Sequence, residues 1–236
     1  MEADSISPLL ARITPTDIVY ALKGPYDKQH NLLKALVEYC RGTDSRLILL
    51  SSVRVFDAVR SHVSYETDKP LPQSVLGKHF TQAERIICDL PADLYTIVRL
   101  PLIIGTNAPL IKQLRQAHKH KAHFEVLPNH IISVMSDIEV VRQLHYIINR
   151  KLTGIYHISS TDLIHHSDLF LELSQKLGLN EMIFEYNYSS NEDEYYALLA
   201  KFNPLPKQFR FTVSQLVNQV VLNQEISTLK VDNSQQ

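Results

Sequence analysis

Asp68-Lys-Pro-Leu-Pro-Gln-Ser-Val-Leu-Gly-Lys-His-Phe-Thr-Gln-Ala-Glu84 is the stretch on which the reading of this chain turns. Pro70 and Pro72 hold its first half extended and deny it a helix. Ser74 then supplies a hydroxyl at the position of a helix N-cap. Beyond it Leu76, Phe80, Ala83, Ile87 and Leu90 recur at helical spacing, forming one apolar face of a helix that runs to about Leu90. Upstream, Arg46-Leu-Ile-Leu-Leu-Ser51 is a short unbroken apolar run of the kind found in central parallel strands. Downstream, Leu94-Tyr-Thr-Ile-Val-Arg-Leu100 is another. Strand, loop, helix and strand in this order predict an α/β fold, a mostly parallel sheet flanked by helices, with a smaller C-terminal helical or mixed lobe.

The pattern extends in both directions. Ser7-Pro8 reads as the start of a short helix to Ile13, and Asp17 to Ala21 as a buried strand. A helix over Tyr26 to Cys40 places Leu32, Leu33, Leu36 and Val37 inward, and the polar stretch Val53 to Gln73 reads as a loop over the carboxyl edge of the sheet. Farther on come a helix over Ala108 to Ala117, extended pieces at His123 to Leu127 and His130 to Met135, a helix from Asp137 to Asn149, and a strand over Ile155 to Ile158. Helices are predicted over Leu169 to Leu177, Glu192 to Lys201 and Thr212 to Leu222, with Ser167 or Asp168 capping the first. The implied division is a sheet domain over 1–160, carrying inserted elements at about 105–135, a lobe over 161–223 and a flexible tail over 224–236.

Composition narrows the function classes. Lys plus Arg number 24 against 25 Asp plus Glu, so no global field recruits nucleic acid or an anionic membrane. No apolar run is long enough to span a bilayer, and the amino terminus lacks a basic segment followed by an apolar one. Cys40 and Cys88 lie far apart among apolar neighbours, which suits two buried thiols in a reducing cytosol. Six glycines are scattered so that no two share a short loop, and a phosphate-cradling turn needs them a few residues apart. His118, His120, His123 and His130 lack the cysteine partners and regular spacing of a structural zinc site, and with Lys112, Arg115, Lys119 and Lys121 they read as a solvated basic connector. Tyr186, Tyr188, Tyr195 and Tyr196 among acids read as a surface of the lobe.

Four segments, taken in order, resemble the extended short-chain dehydrogenase/reductase superfamily, and most closely its dTDP-4-dehydrorhamnose reductase branch. Ser51-Ser52-Val53-Arg54-Val55-Phe56-Asp57 is similar to that branch's Ser-Thr-Asp-Tyr-Val-Phe-Asp. Asp68-x-Pro70-x-Pro72-x-Ser74-x-Leu76-Gly77 follows its Asp-x-Pro-x-Pro-x-Asn-x-Tyr-Gly. Arg99 to Gly105 resembles its Arg-to-Gly strand end, and Gly154-Ile155-Tyr156-His157-Ile158-Ser159 its Gly-Ile-Tyr-His-Leu-Ser. The resemblance makes the predicted parallel sheet a partial Rossmann-like one.

The resemblance implies a site and also shows what that site lacks. In the branch, a tyrosine and a lysine one helical turn apart serve as general acid and as the cation that lowers its pKa. Leu76 and Phe80 stand at those two positions, and neither carries a proton or a charge. Lys78 and His79 are predicted to lie around the helix from the required face. Ser52 retains the equivalent of the family's hydroxyl; Ser51, Ser52, Arg99, Lys112 and Arg115 are the implied substrate contacts. By the same resemblance the chain starts just before the helix leading to the family's fourth strand, and Pro25 falls where the family has an asparagine. No cofactor is therefore expected, or NAD(P) only if an upstream segment exists. These features predict a non-catalytic protein that binds a nucleotide sugar or a protein partner. The alternatives are a regulatory or scaffolding subunit, as the methionine adenosyltransferase regulatory subunit is within this branch, and an active reductase with a missing first segment. The bared sheet edge near Asp17 predicts a homo-oligomer or hetero-complex.

Overall fold

Leu47, Leu49 and Ile97 point to one face of a four-stranded sheet and Ile48 and Val98 to the other, and each set closes a separate apolar core. The computed structural model describes residues 3–221. Helix α1 (Ala3–Ile13) leads to β1 (Asp17–Tyr20), α2 (Tyr26–Thr43) and β2 (Arg46–Ser52). A 3₁₀ turn at Val53–Phe56 and a long loop precede α3 (Val75–Ile87), β3 (Tyr95–Leu100) and β4 (Leu102–Ile104). Next come α4 (Pro109–His120), β5 (His123–Val126), β6 (His130–Ile132), β7 (Val134–Ser136), α5 (Asp137–Asn149) and β8 (Gly154–His157). The last part holds β9 (Ile164–His165), α6 (His166–Lys176), β10 (Ile183–Tyr186), β11 (Glu194–Tyr196) and a helix over residues 213–221.

The main sheet runs β1-β2-β3-β8, parallel throughout, with Val19 opposite Ile48, Ile48 opposite Thr96 and Thr96 opposite Gly154. This is a Rossmann-like α/β arrangement with helices on both faces. On one face α1 contributes Ile6 and Leu10, α2 the expected Leu32, Leu33, Leu36 and Val37, and α3 Ala83, Ile86 and Ile87. The other face is covered by Ile111 and Leu114 of α4, Phe170 and Leu173 of α6, and Val213 and Leu216 of the last described helix. The C-terminal segments therefore share a core with the sheet. Around it lie three small sheets: β4 with β7, β5 with β10, and β6 between β11 and β9.

Several expectations need correction. Helix α1 starts at Ala3, so Pro8 lies inside it; the proline costs one backbone hydrogen bond without ending so short an amphipathic helix. Strand β1 is only partly buried: Tyr20 and Ile18 face the core, but among the described residues the strand pairs only with β2, and Val19 is 41% exposed beside Ile13 at 56% and Leu22 at 50%. No helix forms over Glu192 to Lys201. Its amides are taken elsewhere, Tyr195 N–H by Arg60 O, Leu198 N–H by Ser133 Oγ and Leu199 N–H by Ser64 O, so tertiary partners outcompete the helical period. Strands β4, β9 and β10 are too short to register as sequence patterns. Helix α6 starts one turn earlier than its apolar residues indicate, with His165 as N-cap and no capping side chain. Cys88 is exposed, because it caps the end of α3 facing outward, while Cys40 is buried; both are free thiols. The tail over 224–236 lies outside the described residues. No helix among the described residues is long and apolar enough to cross a membrane.

Candidate active site

Strands β1, β2 and β3 all end at one edge of the sheet, where α3 packs on β2 and on the 3₁₀ turn that follows it. The loop before α3 is fixed by Asp57, whose carboxylate accepts the amides of Gln73 at 2.5 Å and Ser74 at 3.2 Å, as well as the Ser74 hydroxyl. Ser74 in turn accepts the Gly77 amide at 3.0 Å, as its N-cap position predicts. Gly77 is required by close approach: a Cβ there would run into the carbonyl oxygen of Arg54. These contacts set the start of α3 directly against the 3₁₀ turn that follows β2.

A cavity of about 300 Å³ opens at this edge, bounded by Tyr20, Gln29, Ser52, His79, Phe80 and Leu100. Ser52 sits on its wall; its Oγ accepts the Arg54 amide at 3.3 Å, which leaves the hydroxyl hydrogen without an acceptor among the described residues. Phe80 packs on Val55, Phe56 and Leu198 beside the cavity. Leu76 faces outward, 39% exposed, so the predicted apolar stripe packs inward only from Phe80 onward. No general acid stands at either position.

His79 was expected to point away from this edge; instead it is 7% exposed and forms part of the cavity wall. The site bends around the α2 side of α3, where Tyr26 stacks on the His79 ring at 4.2 Å and His30 at 4.7 Å. His79 Nδ1 is buried without a hydrogen-bond partner. Burial, and then the neighbouring His30, push its pKa below the ordinary imidazole value. Lys78 is exposed, as the helix geometry requires.

Two of the implied substrate contacts have their polar groups engaged inside the protein. Arg99 is 2% exposed, and its guanidinium grips Glu84 with Nε to Oε1 at 3.0 Å and Nη2 to Oε2 at 2.8 Å. Nη1 donates to the Glu66 carbonyl at 3.2 Å and to His157 Nε2 at 3.4 Å. His157 therefore carries its proton on Nδ1, which donates to Leu199 O at 3.1 Å. Burial first and Arg99 second lower the His157 pKa to about 4. Ser51, also buried, donates its hydroxyl to Glu84 at 2.5 Å. Arg99 and Ser51 are thus parts of a buried polar network that ties β2, β3, β8 and α3 together, and Ser51 also lines the cavity beside Ser52. Lys112 and Arg115 lie on α4 and do not line the cavity; Lys112 is exposed and Arg115 half-buried. Of the five implied contacts, Ser51 and Ser52 line the cavity, and Ser52 is the one whose hydroxyl hydrogen is not already given to Glu84.

The predicted histidine connector has no common focus. His118 contacts Asn180 O at 2.9 Å, while His130 contacts Ser189 at 2.8 Å and Glu194 at 3.3 Å. Among the described residues no three potential metal ligands gather. Tyr196, expected on a surface strip, lies 5.2 Å from the Arg60 guanidinium, whereas Tyr188 is 69% exposed.

The family described as RmlD substrate binding domain matches residues 26–185. A dTDP-4-dehydrorhamnose reductase from Clostridium acetobutylicum superposes with a TM-score of 0.78 at 16% identity, over 94% of this chain and 86% of that one. A dTDP-4-dehydrorhamnose reductase from Bacillus anthracis, in complex with NADP, gives 0.79 at 14% identity over 94% and 84%. The dTDP-glucose 4,6-dehydratase of Bacillus anthracis, in complex with NAD, gives 0.74 at 15% identity over 93% and 76%. No curated protein sequence matches the chain.

Proposed function

Since the chain belongs to the RmlD substrate-binding-domain family, we propose that it is a non-reducing member, which binds a nucleotide sugar at the β2–α3 edge without transferring hydride to it. Leu76 and Phe80 carry this proposal, because they occupy the helix where its relatives' branch places tyrosine and lysine. A general acid commonly contributes about 10²–10⁴ in rate, and Ser52 alone offers a hydrogen bond, not a proton of suitable pKa. The cavity against Ser52 supports retained binding. Its wall of Phe80, Leu100 and Tyr20 suits the apolar face of a sugar or base. The scatter of six glycines gives no phosphate-cradling loop for a dinucleotide within this sequence. A cytosolic setting suits two free thiols.

A thermal-shift series tests the proposal. dTDP-glucose and related nucleotide sugars should raise the melting temperature, because a ligand that binds only the folded state stabilises it, and Ser52→Ala should reduce the rise. A rise with NADPH and none with any nucleotide sugar would contradict it.

A second reading, a scaffolding subunit that works through self-association, is favoured by one observation. Among the described residues the outer edge of β1 has no paired strand, and it lies next to exposed Ile13, Val19 and Leu22, which is an invitation to another strand. Light scattering at high concentration should then find a dimer or larger species that Val19→Lys disperses; a well-behaved monomer would argue against it.

A further inference from the structure

A second cavity, of about 310 Å³, lies beyond the carboxyl end of β8, between Tyr65 of the long loop and the segment 199–210. In parallel α/β sheets the space outside the carboxyl ends of the strands is where ligands collect. Lys201 and Arg210 both line it, and among the described residues no carboxylate does. Neither cation is in an ion pair among those residues: Lys201 Nζ rests 5.0 Å from the Tyr65 ring, and Arg210 donates its Nε to Leu205 O at 3.0 Å, leaving both terminal nitrogens. The nearby acid, Glu66, is turned to another task, accepting the amides of Lys201 at 3.1 Å, Phe202 at 3.3 Å and Asn203 at 3.2 Å. Ser159, also on the wall, has a buried Oγ with no hydrogen-bond partner. Leu205 and Phe209 supply an apolar floor, against which charge is poorly screened.

We propose that this cavity binds a small organic anion, its phosphate or carboxylate head held by Lys201 and Arg210 with a hydrogen bond from Ser159, and its apolar body on Leu205 and Phe209. Two cations and a hydroxyl over an apolar floor fit a single acidic head on a short apolar body. The site is separate from the Ser52 cavity and does not depend on what occupies that one.

Isothermal titration calorimetry of the full chain at low salt, with inorganic phosphate, phenyl phosphate and phenylacetate, tests it. At least one of the two aromatic anions should bind more tightly than inorganic phosphate, and whichever binds tighter identifies the head group. Lys201→Gln and Arg210→Gln should each weaken that binding by about tenfold or more, and Lys112→Gln on α4 should leave it unchanged. Lys201 is exposed and in no hydrogen bond through its side chain, so its variant remains informative even if Arg210→Gln fails to fold. Absence of binding by all three probes at about 1 mM, or equal binding by the parent and Lys201→Gln, would overturn the proposal.

Discussion

Arg99 and Glu84 meet through two hydrogen bonds, at 3.0 and 2.8 Å, in a setting that leaves their side chains only 2% and 6% exposed. The pair sits where β3 passes under α3, and Ser51, the Glu66 carbonyl and His157 complete its hydrogen bonding. A charge pair this deep is not a strong source of stability, yet removing one partner leaves the other charged and buried. Glu84→Gln should therefore destabilise the protein by about 3–5 kcal/mol in urea unfolding. The double replacement Glu84→Leu with Arg99→Met should recover most of that loss. Near-equal unfolding midpoints for the parent and Glu84→Gln would show that the pair does not bear on stability.

His157 gives the fold a pH dependence. Its pKa is lowered to about 4 in the folded protein from the ordinary 6.5, so above about 6.5 both states are neutral there. As pH falls through 6.5 the unfolded chain takes up the proton first, and stability declines until about pH 4, where the folded form protonates as well. That window corresponds to roughly 3 kcal/mol. His166, also lowered to about 4 by burial, adds in the same direction. His157→Gln should flatten the decline between pH 6.5 and 4 without abolishing it, as read from urea midpoints; an unchanged slope would place the titration elsewhere.

The sheet was legible because its strands are unbroken apolar runs, and the helices on its first face because Leu32, Leu33, Leu36 and Val37 keep a helical period. Ser74 as a cap was legible for the same local reason. What the sequence hid was tertiary. Nothing in Arg99 or Ser51 distinguishes a ligand contact from a member of a buried network, because the distinction depends on Glu84 arriving from another element. His79 was discounted on helical angle alone, yet Tyr26 and His30 of α2 close around it and shift the cavity toward it. The one available signal was that Tyr26 and His30 are i, i+4 on the helix that precedes β2. Glu192 to Lys201 was misread because its apolar spacing serves a strand and a loop pinned by Arg60, Ser64 and Ser133.

Gly77 tests whether the packing of α3 on the 3₁₀ turn positions the cavity. Gly77→Ala adds only a methyl group and would favour a helix by intrinsic propensity, by about 1 kcal/mol on an exposed surface. Here the methyl meets the carbonyl oxygen of Arg54 and the carboxylate of Asp57. The variant should therefore lose stability and weaken any ligand held against Ser52. A stabilised Gly77→Ala protein would mean that α3 has room to move.

Under the proposed function a reductase-like fold is kept here without hydride transfer. Spectrophotometric measurement of NADPH oxidation with dTDP-4-dehydrorhamnose addresses it most directly, since Leu76 and Phe80 leave no acid to protonate the reduced carbonyl oxygen. No oxidation above background is predicted at any enzyme concentration that keeps the protein soluble. Robust turnover that disappears in Ser52→Ala would contradict the account.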